Sequence, residues 1–130
     1  MTPLCEHKMQ EYDWSNTIEK AKAYISEERI SEAENCFLQA EGQCSDDPEE
    51  RFALCLNLAL FYEYVVEDLV KTERYKEKAL KYLKVFRGYG NSEVYGHMIG
   101  LADLKRKLGK TEQAAELEKE AEELKYPNSE

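Results

Sequence analysis

The chain has 130 residues, 42% of them apolar and 35% charged, with only six glycines and three prolines. That balance excludes chain-wide disorder and matches one helical domain with few turns, large enough to bury roughly two thirds of the surface its unfolded form exposes. The 18 basic and 27 acidic residues leave a formal charge of -9, so nucleic acids and anionic membrane surfaces are disfavoured as partners.

In chain order, residues 1–12 form an N-terminal segment ahead of the folded part, a single domain over 13–127, and 128–130 form a tail. Asp13 is placed to cap a first helix to about Glu27, and Ser31 with Glu34 has the capping-box spacing that opens a second, ending near Gly42. Asp47, Pro48 and Glu50 mark a third start: a capping carboxylate, a proline where no amide hydrogen is needed, and a reciprocal Glu. That helix is expected to reach about Val70, with Thr72 capping a fourth that runs until Gly88 and Gly90. Asn91 or Ser92 starts the fifth, Gly109 stops it, Thr111 starts the sixth and Pro127 lies beyond its end. No stretch alternates with a two-residue period, so the class is all-α.

The six helices form three hairpins, at about 13–44, 47–88 and 91–125, and the hairpins repeat. AKAYISEERISEAENCFLQA and LADLKRKLGKTEQAAELEKEA align without a gap, setting Ala21 on Ala102, Tyr24 on Lys105, Ala33 on Ala114 and Ala40 on Ala121. The middle hairpin joins through Ala59, Tyr62, Ala79, Leu83 and Phe86, while Trp14, Phe52 and Tyr95 open the three first helices. Small residues suit helix crossings, where axes about 8 to 10 Å apart leave no room for a large side chain. Tyr24, Phe37, Tyr62, Leu83, Leu101 and Leu117 would fill the space between layers. Ala79 follows Tyr62 by seventeen residues where the outer hairpins have nine, so the middle one carries eight extra residues around Tyr64 to Lys71. Those lengthen both arms or add a projecting tip.

On these residues the chain resembles the tetratricopeptide repeat, a helix-turn-helix of roughly 34 residues; Gly109 alone matches the family's turn glycine. The resemblance implies an α-solenoid of three antiparallel helix hairpins in a right-handed superhelix, whose first helices line a concave surface that grips a peptide or helix of a partner protein. Carried across residue by residue, the groove positions are Ile18, Lys22 and Ile25, then Leu56, Asn57, Leu60 and Tyr64, then Ile99, Asp103 and Arg106. The equivalent Ile18, Leu56 and Ile99 make an apolar strip, which residues 1–12 could instead cover as a cap. These three also stand where members that clamp acidic chaperone tails carry cations, so such tails should bind weakly or not at all. Glu118, where an apolar residue is usual, reads as the polar outer face of a terminal helix.

Chemistry has thin support. His7 and His97 are the only histidines, Cys5 beside His7 falls short of a metal set, and Cys36, Cys44 and Cys55 lack paired spacing. No phosphate loop, nucleophile elbow or zinc-protease pair is present, and GYGN at Gly88 to Asn91 reads as a turn. No catalytic, cofactor or metal residue is assigned, and no enzyme is expected. With no apolar run of roughly 20 residues and no signal-peptide pattern in Met1 to Gln10, a cytoplasmic location with reduced thiols is expected. The expected function is a protein interaction module, adaptor or scaffold. A self-associating structural protein forming a homodimer, or a small secretion or assembly chaperone shielding an apolar client segment, is the alternative.

Overall fold

The computed structural model describes residues 13–88 and 92–125, with the side chains of Asp13 and Lys125 left aside. The segment expected as a cap, the Asp13 carboxylate, Gly90, the Asn91 start, Pro127, Cys5 and His7 all lie outside the described residues. Helix α1 spans Asp13–Ser26 and α2 Ile30–Gln43. Helix α3, Pro48–Leu60, runs into a π-helical turn, Phe61–Val66, before α4, Leu69–Arg87. Helices α5, Ser92–Lys107, and α6, Thr111–Lys125, complete the set. No strand occurs among the described residues. Consecutive helices pack in pairs, α1 with α2, α3 with α4 and α5 with α6, and α4 packs against α5.

The aligned outer segments turn in the same way. After α1 the Glu28 amide donates to the Ile25 carbonyl at 2.9 Å and the Arg29 amide to the Tyr24 carbonyl at 2.9 Å. After α5 the Gly109 amide donates to the Arg106 carbonyl at 3.0 Å and the Lys110 amide to the Lys105 carbonyl at 2.8 Å. Both are Schellman turns, closed by a residue in the left-handed region: Gly109 at φ 82° and Glu28 at φ 61°. Glycine adopts that conformation freely, whereas a side chain there costs about 1 kcal/mol. In both turns the chain re-enters helix at once, the Ala33 and Ala114 amides each donating at 3.0 Å to the carbonyls of Arg29 and Lys110.

That immediate re-entry overrules the capping box expected at Ser31. Arg29 is the N-cap of α2 and makes no side-chain cap bond, because α2 begins at Ile30, which puts Ser31 inside its first turn and an arginine, with no acceptor oxygen on its side chain, at the capping position. Its guanidinium instead holds Glu27 at 3.1 Å and Glu32 at 2.8 Å and lies 4.6 Å from the Tyr24 ring centre. The Asp47 cap forms as expected, its carboxylate accepting the Glu50 amide at 3.1 Å, but Glu50 reciprocates through a relay. Its carboxylate accepts the Ser45 hydroxyl at 2.8 Å, and that hydroxyl oxygen accepts the Asp47 amide at 3.2 Å. Arg51 then donates to the carbonyls of Glu41 at 3.3 Å and Cys44 at 3.2 Å, satisfying the C-terminal end of α2.

The middle pair departs most from expectation. Helix α3 does not continue to Val70: it widens at Phe61 and closes at Glu67, whose φ is 64°, with the Asp68 amide donating to the Tyr62 carbonyl at 2.8 Å. Asp68, not Thr72, caps α4 by accepting the Lys71 amide at 3.1 Å. Thr72 is fully buried inside the helix, where its hydroxyl donates to the Asp68 carbonyl at 2.8 Å. The extra residues lengthen both arms: α4 has 19 residues against 14 in α2, and α3 gains six π-helical ones.

Every small residue assigned to a crossing is buried: Ala21, Ala33, Ala40, Ala59, Ala79, Ala102, Ala114 and Ala121 are each at most 1% exposed. Phe37, Tyr62, Leu83 and Leu101 are buried between them, and Tyr24 and Leu117 are partly buried against the same core. Burial of a side chain such as Leu83 contributes about 1.5–3 kcal/mol. Glu118 is not simply a solvated outer residue, because it accepts two bonds from the Arg106 guanidinium, one of them 3.2 Å from Nε.

Candidate functional site

The first pair meets the second along a polar and aromatic seam. The Tyr62 hydroxyl donates to Glu34 at 2.8 Å and the Tyr75 hydroxyl to Glu41 at 2.9 Å, and the two phenol rings stack 5.7 Å apart, 6° from parallel. Burial, reinforced by those carboxylates, pushes both phenol pKa values well up, so the rings stay neutral donors. Lys71 and Lys78 pair with Glu34 at 3.5 Å and Glu41 at 3.3 Å at the edge of the seam.

Beside this seam lies an apolar cavity of about 320 Å³. The last turns of α1 supply Lys22 and Ile25, α2 supplies Phe37, α3 supplies Asn57 and Leu60, and the π-helical turn supplies Phe61, Tyr64 and Val65. Phe37 and Phe61 pack with ring centres 4.5 Å apart. Leu60 is 51% exposed and Tyr64 70% exposed, so the site is apolar in character yet open to water. A π-helical turn spaces its hydrogen bonds one residue wider than an α-helix and often sits at functional sites; here it contributes three of the lining side chains.

Five of the ten groove positions named from the sequence, Lys22, Ile25, Asn57, Leu60 and Tyr64, are brought together in this cavity. Ile18 is not: it is 4% exposed and belongs to the core. The Thr17 hydroxyl, donating to Gln43 at 2.8 Å, holds that stretch of α1 against α2. Leu56 and Ile99 are partly buried against the core, so Ile18, Leu56 and Ile99 do not form an open strip. Asp103 is exposed on α5, and Arg106 is engaged with Glu118, both away from this cavity. Sequence reasoning did not assign Phe37, Phe61 or Val65 to the groove. Phe37 read as core, and nothing in YVV signals that the helix widens there.

The second pair meets the third through a buried lysine. Lys105, 4% exposed, donates to Glu73 at 2.5 Å, Glu77 at 2.6 Å and Gln113 at 2.8 Å. Lys110 adds contacts to both Glu73 oxygens, at 2.8 and 3.1 Å. Burial disfavours charge on both partners, but hydrogen bonding within the cluster outweighs it, holding the Glu73 pKa below and the Lys105 pKa above the ordinary values. An adjoining cleft of about 350 Å³ mixes Lys81 and Lys84 with Glu116 and Glu120, and Lys84 meets Glu120 at 3.5 Å.

The remaining reactive side chains are packed rather than presented. Burial lowers the pKa of His97, whose ring lies 5.4 Å from that of Phe52. Cys36, Cys44 and Cys55 are buried free thiols; burial raises the pKa of Cys44 and pushes Cys55 up to about 11, which keeps those two protonated. Among the described residues, no group of three His, Cys, Asp or Glu side chains is placed to hold a metal ion, and no helix is long and apolar enough to cross a membrane. No protein-family model matches the chain, and neither the curated proteins nor the solved structures yield a significant match.

Proposed function

We propose that this chain is a protein interaction module of the tetratricopeptide type, an adaptor or scaffold that holds a peptide or helix of a partner protein in the cavity beside the first seam. The observation that carries the reading is the pairing of an apolar interior with two large side chains left open at it, Leu60 and Tyr64. An exposed apolar patch is stabilised by coverage, and a concave one favours an inserted side chain. The matching outer turns and the buried crossing alanines support a solenoid of three hairpins, right-handed as in the family. The test is capture of a partner from cell extract by the wild-type chain and by Leu60→Glu. Loss of the wild-type partner with unchanged helicity and melting temperature is expected, since a carboxylate there meets apolar surroundings; undiminished capture by the folded variant would remove the cavity from the function.

A further inference from the structure

We infer that the segment held in the cavity is an amphipathic one with an apolar anchor and basic flanks, a conclusion that rests on the peptide-binding reading above. The anchor follows from the interior: Ile25, Phe37, Leu60, Phe61 and Val65 offer a bulky aliphatic or aromatic side chain an apolar surface.

The basic flanks follow from the charges left over around it. Lys22, the cation of the lining, is within 3.6 Å of the Glu19 carboxylate. Arg29, in the turn after α1, is held by Glu27 and Glu32. Lys71 pairs with Glu34 at 3.5 Å and Lys76 with Glu63 at 3.5 Å. Each of these four cations is thus matched by a carboxylate, and over residues 14–68 thirteen acidic residues stand against four basic ones. Glu28, three residues beyond Ile25, and Glu67, two beyond Val65, are both exposed at the turns that close α1 and the π-helical stretch. Both turns hold these residues in the left-handed region, which fixes the backbone from which the carboxylates extend. An anionic segment would meet that excess and the overall charge of -9; a cationic one is drawn in, and its flanks can pair with Glu28 and Glu67.

The experiment uses the full chain and three synthetic peptides: a short amphipathic helix with a leucine face and lysines elsewhere, its twin with glutamates for lysines, and a scrambled lysine peptide without the leucine face. Titration calorimetry on the wild type is expected to rank the lysine amphipath at least about tenfold tighter than either other peptide. The gap should narrow as salt rises, because Debye screening at physiological ionic strength already acts within about 8 Å. Glu28→Lys combined with Glu67→Lys, checked for unchanged helicity, should abolish or invert the preference between the twins. If both amphipathic twins bind equally and Leu60→Glu removes both, the cavity reading stands and the basic partner is wrong. If the scrambled peptide binds as well as the lysine amphipath, the attraction is diffuse charge and the inference also fails. If no peptide binds, or Leu60→Glu changes nothing, the cavity reading fails and takes this inference with it.

Discussion

The two seams between helix pairs solve one problem with opposite chemistry. At the first, neutral phenols of Tyr62 and Tyr75 donate to Glu34 and Glu41; at the second, the ammonium of Lys105 sits among Glu73, Glu77 and Gln113. A phenol brings much apolar area and little desolvation cost, so its carboxylate partners can stay near water. An ammonium taken out of water needs several acceptors at once, and removing any one leaves part of the cost uncovered. The first seam should therefore yield gradually to substitution and the second abruptly. The first seam also borders the open cavity, so a segment bound there, as proposed, could come and go without breaking a buried charge.

The largest effect expected is from Glu73→Leu, which leaves Lys105 buried with a reduced set of acceptors and should destabilise the chain by on the order of 3 kcal/mol in urea unfolding. Adding Lys105→Met should restore most of that loss, since an apolar pair of similar volume replaces the ions; a single variant of near wild-type stability would show that the second seam is not charge-locked. Next come Ala21→Leu and Ala102→Leu, which should each cost about 1–3 kcal/mol by overpacking a crossing. Because these alanines occupy equivalent places in the outer pairs, their losses should be close to one another, and a harmless result at either site would break the equivalence.

Those alanines show how much was legible beforehand. The crossing residues, the Asp47 start, the Gly88 and Gly109 stops and the likeness of the outer turns were all readable, because each depends on local sterics or backbone conformation that a few adjacent residues decide. The misreadings came where two local solutions competed. At Ser31 the helix had already begun behind Arg29, two residues earlier, and at Thr72 it had begun behind Asp68, whose carboxylate is the cap. Five groove positions converged on the cavity, whereas Ile18 was lost to the core because periodicity places a residue on an apolar face without saying which neighbour covers it. The Lys105 cluster was invisible for a related reason: Glu73 and Lys105 meet only once α4 packs on α5.

A smaller effect, about 1 kcal/mol each, is expected from Tyr62→Phe and Tyr75→Phe. Each removes one donor while Lys71 or Lys78 stays beside the carboxylate. A loss as large as that from Glu73→Leu would erase the contrast between the seams.

The response to pH sharpens the same contrast. The Glu73 pKa lies below its ordinary 4.5 in the folded chain, so its contribution is complete above 4.5 and is lost as pH falls through the folded value. Tyr62 and Tyr75 are raised above 10, so theirs is complete below 10 and declines as pH climbs from there towards the folded values. Lys105, raised above 10.5, adds its own alkaline loss at the second seam. The acid limb is therefore the informative one: Glu73→Gln should make it shallower in equilibrium unfolding, with Glu32, also held below its ordinary value by Arg29, left to contribute, and an unchanged acid limb would rule out Glu73 as a source.

The most direct measurement is hydrogen exchange of the full chain with and without its captured partner. Slowed exchange concentrated in 57–65 and in the last turns of α1 is predicted, since those backbones carry the cavity. Protection confined to α6, or none anywhere, would contradict the placement of the binding site beside the first seam.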